Sequence, residues 1–385
     1  MKESIIIRNF GPINEIEITD IRPMTIFIGE SGSGKSTVLK TLVLFRWIYK
    51  MINIRSFLRH ANITQSPFKF NFKDYLKNNG FKDYLKDNTE IIYKRGENTI
   101  VYNGILDTSV TIPENELSLE KMSFIADKRI LIPDMLASKK KKEKLPMSFF
   151  LEETYNDFNI ASEYIKELNV DYLGIKYFSK EVNNRTEYYI KNIDEEKNYT
   201  INLEDSSSGI QTVVPLSIII EYFSGHYDFN SRFNKMIFKY MSENDSLKDF
   251  RSNINIGDIP YKNIHIHIEE PELSLYPESQ RDLLNFIINR CFISHSNDYR
   301  LSLMMATHSP YIVNHLNLLL MAAAVGELED NASINIDEVD VFEIIGGYLN
   351  DLKLKDKFII DTRPLSEPIS DIYRSYNNLS QRRNG

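Results

Sequence analysis

Residues 29–37 contain the residue types that bind phosphate, at the spacing that such binding requires. The segment reads Gly-Glu-Ser-Gly-Ser-Gly-Lys-Ser-Thr and matches the pattern of a glycine, four residues of any type, and Gly-Lys-Ser or Gly-Lys-Thr. Its glycines let the backbone wrap closely around a phosphate, and the first N–H groups of the following helix add positive potential. We expect Lys35 to reach the β- and γ-phosphates of a nucleotide and Ser36 to bind Mg²⁺. The predicted nucleotide-binding residues of this phosphate loop are Gly29, Glu30, Ser31, Gly32, Ser33, Gly34, Lys35, Ser36 and Thr37.

Two adjacent carboxylates follow a second hydrophobic run. Residues 264–268 alternate isoleucine with histidine, and Glu269, Glu270 and Pro271 come directly after them. A strand that ends in acids beside a phosphate loop places them where open α/β sheets bind ligands. We expect Glu269 to hold the Mg²⁺ shell and Glu270 to orient and polarise the attacking water. Such a pair taken alone is equally compatible with a solvated strand end, so the prediction depends on its combination with the phosphate loop.

The two histidines of this run, His265 and His267, lie on one face of the predicted strand. Two histidines without a nearby third ligand are more often packed or hydrogen-bonded than bound to metal. We therefore expect both side chains to be part of the core.

Two further segments could reach a terminal phosphate. Residues 301–306 predict a buried strand that leads to His308, and a histidine at such a strand end can contact a γ-phosphate held by a neighbouring loop. In the alternative interpretation Ser309 caps the next helix and His308 is incidental. Ser207, Ser208 and Gly209, the signature segment, open an apolar helix and form a second candidate anion site. One nucleotide does not need two phosphate sites in one chain, whereas a dimer does if each copy completes the site of the other.

Strands and helices alternate around these motifs. Predicted strands at residues 5–8, 13–18 and 24–28 precede a helix over residues 35–49. After Ser208 come a helix, a strand at 264–268, a helix at 277–292, a strand at 301–306 and a helix at 309–320. This alternation predicts an α/β fold with a mixed, mostly parallel sheet.

The composition changes between residues 51 and 204, which we interpret as an insertion that mixes hairpins with a helix. The predicted organisation is an N-terminal lobe at 1–50, the insertion at 51–204, a C-terminal lobe at 205–345 and a helical tail at 346–385. Within the insertion, Tyr75, Tyr84 and Tyr93 are expected to be exposed and to suit a protein contact. A run of lysines, Lys139–Lys142 and Lys144, is expected to be a solvated loop, with a nucleic-acid contact as the alternative.

The tail contains Ile369, Ile372, Tyr373 and Tyr376 at the spacing of one helix face. We expect this face to pack on the chain's own head, with a contact to another protein as the alternative.

The bulk composition of the 385 residues excludes several classes of protein. With 42% hydrophobic and 26% charged residues the chain is globular, and a net charge of −8 excludes a protein that is basic over its whole surface. The single cysteine, Cys291, allows no intrachain disulfide and is expected to be a buried thiol in a reducing compartment. The longest apolar runs, at 213–220 and 316–325, are shorter than the ~20 residues of a membrane span. We therefore expect a cytoplasmic protein without a membrane contact.

The order of these motifs resembles the P-loop ATPase heads of ABC type found in SMC, RecF and OLD-type proteins. Residues 7–13, Ile-Arg-Asn-Phe-Gly-Pro-Ile, resemble the opening of that group, which lies near the adenine and implies that Asn9 contacts nucleotide. Residues 269–277, Glu-Glu-Pro-Glu-Leu-Ser-Leu-Tyr-Pro, are similar to a run of the OLD-like branch. The resemblance implies that Ser207, Ser208 and Gly209 act on the γ-phosphate of a second copy, and that residues 273–276 form the D-loop at the dimer interface.

The chain also departs from the pattern of this group, first in Glu269, which stands where aspartate is the commoner residue. No glutamine follows the predicted strand at 122–125, so no Q-loop residue can be assigned. After residue 320 no acid cluster of the kind that Toprim nucleases use is present, and about 65 residues are too few for such a domain.

The resemblance implies a dimer that binds and hydrolyses ATP with Mg²⁺, using Lys35, Glu270 and His308 in catalysis. On this interpretation the chain is a molecular switch in bacterial anti-phage defence and works with a separately encoded effector, such as a nuclease. The alternative is a DNA-repair or recombination ATPase of SMC or RecF type that clamps DNA, although the chain lacks a sustained heptad pattern and is acidic. A GTPase is disfavoured because no Asn-Lys-x-Asp motif is present.

Overall fold

The computed structural model describes residues 1–63, 72, 76–77, 80–137, 147–194, 196, 199–243, 259–354 and 359–384. The strands within these residues are, in chain order, β1 (Glu3–Phe10), β2 (Ile13–Ile18), β3 (Met24–Ile28), β4 (Leu85–Arg95), β5 (Asn98–Asn103), β6 (Ile105–Asp107), β7 (Ser118–Ile125), β8 (Glu167–Val170), β9 (Ile175–Val182), β10 (Arg185–Asn192), β11 (Thr200–Asn202), β12 (Tyr261–Glu269), β13 (Arg300–Thr307), β14 (Val339–Ile345), β15 (Tyr348–Asp351), β16 (Lys353–Leu354) and β17 (Ile359–Ile360). The α-helices are α1 (Lys35–His60), α2 (Ile132–Ala137), α3 (Phe149–Tyr164), α4 (Ser208–Gly225), α5 (Phe229–Glu243), α6 (Pro277–Ile288), α7 (Pro310–Val325) and α8 (Arg363–Asn384).

One large mixed sheet organises the described part of the chain. Its strand order is β6-β5-β4-β1-β2-β15-β14-β3-β13-β12-β7. From β14 to β7 every neighbouring pair is parallel, whereas β6 to β2 pair antiparallel. The strands β3, β12 and β13 of the parallel half are buried along most of their length, so both of their faces are covered. In β12 the buried isoleucines alternate with the buried histidines His265 and His267. The predicted α/β fold with a mixed, mostly parallel sheet is confirmed.

Helix α1 crosses the parallel half of the sheet, where it packs on β7, β12 and β13. It is 26 residues long and continues eleven residues beyond the predicted end at Tyr49. The extension forms because residues 51–58 are buried as thoroughly as the first turns, including Ile52, Phe57 and Leu58. The helix that follows the phosphate loop is therefore anchored along most of its length.

The strand pairing does not follow the predicted boundaries at residues 51 and 346. Strands β4 to β7 come from the predicted insertion but belong to the large sheet, and β15 from the predicted tail joins it as well. Strands β8 to β11 form a separate four-stranded antiparallel sheet, in which β10 pairs with β9 and β11. The division into lobes, insertion and tail stays a prediction.

The expected exposure of the insertion tyrosines is wrong for Tyr93. Its side chain is 0% exposed and its hydroxyl donates to Glu3 at 2.8 Å, because β4 alternates and this residue faces α1. Tyr84 is half-buried against Phe10. Tyr75 and the lysine run at 139–144 lie outside the described residues.

The expectation that the apolar face of the tail packs on the head is wrong for three of its four residues. Ile372, Tyr373 and Tyr376 in α8 are 68%, 66% and 67% exposed, whereas Leu365 near the start of the helix packs against the core. The side chain of Ile369 lies outside the described part of the structure. Helix α8 therefore carries an uncovered apolar face, to which Leu379, 63% exposed, also belongs.

Two smaller expectations concern Cys291 and membrane spans. Cys291 is buried, and burial raises the pKa of its thiol to about 12, which makes it unreactive. In the described part of the chain, no helix combines the length and the apolar character that crossing a bilayer requires.

A buried polar cluster lies between α1 and the sheet. His265 contacts Ser302 through Nδ1 at 2.6 Å and Glu120 through Nε2 at 2.8 Å, and His267 Nε2 lies 2.9 Å from Arg46. Both histidines are hydrogen-bonded core residues, as predicted. Burial, together with the positive charge of Arg46, lowers the pKa of His265 to about 4 and holds that of His267 well below its usual value.

These histidines make folding depend on pH. Between about pH 6.5 and pH 4 the unfolded chain binds protons that the folded chain excludes, so the free energy of unfolding falls as the pH falls through this window. We predict a slope of up to about 1.4 kcal/mol per pH unit for each histidine, measured by urea unfolding between about pH 7 and pH 5. The double variant His265→Gln, His267→Gln should have a shallower slope, and the exposed His226→Gln should keep the wild-type slope. An unchanged slope in the double variant would contradict the assignment.

Candidate functional site

Three predicted motifs begin at the same edge of the sheet because their strands are in register. Glu269 at the end of β12 pairs with Ala306 of β13, and Ala306 pairs with Phe27 of β3. The phosphate loop, Glu270 and His308 therefore leave neighbouring parallel strands at one level. Since strands lie ~4.8 Å apart, β12 and β3 are separated by about 10 Å, with His308 between them.

The phosphate loop has a backbone that only glycine adopts easily. Gly29, Gly32 and Gly34 have φ values of 146°, 80° and 112°. A Cβ atom on Gly29 would lie 2.7 Å from the carbonyl oxygen of Ile344 in β14, and one on Gly34 would lie 2.5 Å from Ile13 Cδ1. The loop is thus held between β14 and the start of β2.

Lys35 lies inside the loop. Its ammonium group donates to the carbonyl oxygens of Gly29 at 2.8 Å and Glu30 at 2.7 Å, and the residue is 5% exposed. Burial lowers the pKa of Lys35, while the negative charges of Glu270 and Glu272 act in the opposite direction. The charges of both acids therefore act on the lysine.

The remaining loop residues leave an open side for a ligand. Glu30, Ser31, Gly32 and Ser36 are exposed, and Thr37 is buried at the start of α1. The hydroxyl of Ser33 is buried and has no hydrogen-bond partner among the described residues. A buried hydroxyl without a partner inside a glycine-rich loop fits a bound phosphate, which would accept its hydrogen bond.

Glu269 has the environment that a hydrated cation requires. It is 3% exposed; its Oε1 is paired with Lys40 at 2.7 Å, and its Oε2 is buried without a partner in the described part of the chain. Lys40 also lies over the rings of Phe124 and Phe150. The buried carboxylate oxygen and the exposed hydroxyl of Ser36 are hard oxygen ligands of the kind that Mg²⁺ takes.

Glu270 leaves the strand in a strained conformation. Its φ is 45°, in the left-handed region that a residue other than glycine rarely adopts, and its N–H donates to Ala306 O at 2.8 Å. Its Oε1 lies 3.6 Å from Nε2 of His308, and both side chains are partly exposed. The strain turns the carboxylate away from the strand and towards His308.

In the segment after β13 the helix cap expected at Ser309 is present, and a contact of His308 with a γ-phosphate stays a prediction. The hydroxyl of Ser309 accepts from the N–H groups of Tyr311 and Ile312, so it caps α7. The backbone N–H of His308 donates to Glu272 at 2.6 Å, and this bond holds the histidine at the sheet edge.

The signature segment lies at the start of α4, with Ser207 as the N-cap residue. Ser207 and Ser208 are exposed, and Gly209 is close-packed because a Cβ atom there would lie 3.0 Å from Ser274 O. None of the hydrogen bonds among the described residues joins this segment to the phosphate loop of the same chain.

Asn9 is the penultimate residue of β1, just before the turn to β2. Its φ is 53°, and its side chain donates to Asn88 O at 3.2 Å. Its backbone oxygen accepts from Thr89 at 2.6 Å. The contact of Asn9 with adenine stays a prediction.

Three residues of the site were not assigned a role from the sequence. Lys40 and Arg129 belong to no motif, and Glu272 lies within residues 269–277, the acidic run. Arg129 follows β7, where a Q-loop glutamine was sought, and its guanidinium group bonds to the backbone of the acidic run. The sequence signal that could have identified Arg129 is its position directly after β7, a strand that pairs with β12.

Comparison with known proteins gives distant structural similarity alone. No protein-family model matches the chain, and no curated protein matches its sequence. An Smc head bound to the C-winged helix domain of ScpA is 12% identical, with 92% of this chain and 98% of that chain covered and a TM-score of 0.36. The recombination mediator RecF is 10% identical, with 91% and 99% covered and a TM-score of 0.32. CbiO1 from Clostridium perfringens, part of an ABC transporter complex, is 10% identical, with 99% and 97% covered and a TM-score of 0.31. Similarity at this level does not establish function, which has to be inferred from the site.

The geometry of the loop predicts that Gly29→Ala weakens nucleotide binding. The added methyl group meets a backbone oxygen that cannot move aside, and the φ of 146° adds strain. With about 1–3 kcal/mol of strain, ATP affinity should fall roughly 5- to 150-fold, measured by titration with a fluorescent ATP analogue. Gly225→Ala is the matched control because a Cβ atom there meets nothing within 4 Å. Equal affinity in both variants would remove the phosphate-loop assignment.

Proposed function

We propose that this chain binds ATP with Mg²⁺ and hydrolyses it at sites shared between two copies. The observation that supports this most directly is the register of β3, β13 and β12, which brings the phosphate loop, His308 and the acid pair to one edge. The glycine conformations, the buried lysine, and the oxygens of Ser33 and Glu269 that have no partner among the described residues are what a nucleotide site of this kind needs.

Each residue has a role that follows from its position. Lys35 exchanges its two loop carbonyls for β- and γ-phosphate oxygens and so neutralises charge where it develops. Glu270 accepts a hydrogen bond from the attacking water and orients it, and His308, 3.6 Å away, donates towards the γ-phosphate. Mg²⁺ held near Ser36 and Glu269 would neutralise phosphate charge when bound.

The second half of each site comes from another copy. Ser207 and Ser208 present exposed hydroxyls and a helix N-terminus, which bind anions, yet the structure bonds them to no phosphate-loop residue of their own chain among those described. Tyr276, in the predicted D-loop, is 74% exposed. An ATP-dependent dimer would cover both features.

Glu270→Gln should keep ATP binding and stop turnover. The amide preserves the shape of the side chain but does not polarise water, so an ATP-bound dimer should accumulate. Phosphate release and size-exclusion chromatography with ATP measure the two effects. The exposed Glu327→Gln is the matched control and should behave as wild type. Normal hydrolysis by Glu270→Gln, with loss in Glu269→Gln, would show that the two roles are reversed.

We further propose that the ATPase is an OLD-like switch that acts through a separately encoded effector, such as a nuclease in anti-phage defence. The similarity of residues 269–277 to the corresponding run of OLD-like proteins supports placing the chain in the OLD-like branch. The uncovered face of α8 supports a protein contact: Ile372, Tyr373, Tyr376 and Leu379 expose a large apolar surface, which monomeric proteins rarely leave uncovered.

The effector proposal predicts a complex that depends on α8. Purification from the native host, with and without ATP, should recover a nuclease with the wild-type chain and lose it with Tyr373→Ser, Tyr376→Ser. Arg374 makes an exposed ion pair with Asp371 on the other side of the helix, so Arg374→Ala should retain the complex. Recovery of this chain alone, with unaided cleavage or clamping of DNA, would contradict the proposal.

A further inference from the structure

Arg129 is a buried cation whose hydrogen bonds all go to backbone oxygens. It is 0% exposed and has no ion-pair partner among the described residues. Burial lowers its pKa to about 10, against the opposing charges of nearby acids. Its guanidinium donates to five carbonyl oxygens: Ala126 at 3.1 Å, Thr212 at 3.1 Å, Glu269 at 2.8 Å, Glu270 at 2.6 Å and Pro271 at 3.4 Å.

One side of this guanidinium holds the acidic run. It bonds to three consecutive carbonyls, including that of Glu270, where the backbone takes its strained φ of 45°. A left-handed conformation costs about 1–2 kcal/mol outside glycine, so it persists only where other contacts fix it. The bond at 2.6 Å to Glu270 O is one such contact, and it sets the direction of the carboxylate.

The other side holds the first turn of α4. Arg129 Nε donates to Thr212 O. The single hydroxyl proton of Thr212 is shared between Gly209 O at 2.9 Å and Leu273 O at 3.0 Å. Gly209 in turn packs on Ser274 O. The signature segment and the acidic run of one chain are thereby joined into one unit.

This unit spans two different sites if, as proposed above, the sites are shared between copies. Glu270 serves the nucleotide of its own chain, whereas Ser207, Ser208 and Gly209 serve the nucleotide of the partner. A displacement at one site therefore moves a group at the other, and such coupling acts in both directions. We propose that Arg129 is a positioning residue that couples the two ATP sites of the dimer, an inference that rests on the proposed function.

The test compares Arg129→Lys with Arg46→Lys. Arg46 is equally buried, at 1% exposed, and its bonds to Glu3 and His267 lie outside the site, so its replacement controls for loss of a buried guanidinium. Steady-state ATPase rates are measured against ATP concentration, with nucleotide affinity and unfolding measured in parallel. Wild type and Arg46→Lys should show a Hill coefficient above 1, within the limit of two that two sites allow.

In Arg129→Lys the Hill coefficient should fall to about 1 and kcat by roughly 10- to 100-fold, as expected for a displacement of about 1 Å, with affinity for ATP within about twofold of wild type. Thr212→Val removes only the two hydroxyl bonds and should also lower the Hill coefficient, which keeps the test decisive if Arg129→Lys is unstable. The coupling would be overturned if the wild-type protein showed no cooperativity. It would also be overturned if Arg129→Lys and Thr212→Val kept the same Hill coefficient as Arg46→Lys. Wild type without any ATPase activity would instead overturn the proposed function.

Discussion

The register of three parallel strands is the constraint on which the site depends. Because β12, β13 and β3 pair as Glu269 with Ala306 and Ala306 with Phe27, their carboxyl ends are level and the loops that follow them converge. A slip of one residue would turn every side chain of a strand to the opposite face and bury Glu270 in place of Glu269. The long, buried helix α1 opposes such a slip, since it packs on β12, β13 and β7 together.

The site also contains buried charges and a strained backbone, which cost folding free energy unless neighbouring groups compensate them. Glu269 and Lys40 form a largely buried ion pair, Arg129 is a buried cation without a carboxylate partner in the described structure, and Glu270 is strained. Removing one member of a buried ion pair costs about 3–5 kcal/mol, so these groups are sensitive to replacement even before any effect on chemistry. Their stability comes from the surrounding sheet and from α1, whose apolar residues form the core.

Local chemistry explains which parts of this account could be read from the sequence. The glycines of the phosphate loop, the strand that ends in two acids and the helix cap at Ser309 depend on residues close together in the chain. Arg129 could not be found in this way because its partner Glu269 is 140 residues distant, and a carbonyl oxygen carries no residue type to recognise. Tyr93 was misplaced because β4 is covered by α1 on one face, which a hairpin pattern does not reveal. The face of α8 was expected to be buried and is exposed, because an amphipathic pattern shows that a helix has an apolar face but not what covers that face.

The sharing of each site between two copies is the central claim, and mixing two inactive variants tests it most directly. Lys35→Ala removes the phosphate-loop cation, and Ser208→Arg blocks the signature segment at an exposed position that leaves the chain's own contacts intact. A mixed dimer retains one site with both halves unaltered, so ATP hydrolysis should reappear in the mixture while each variant alone stays inactive. Mixed dimers that are confirmed by native mass spectrometry but remain inactive would contradict the account.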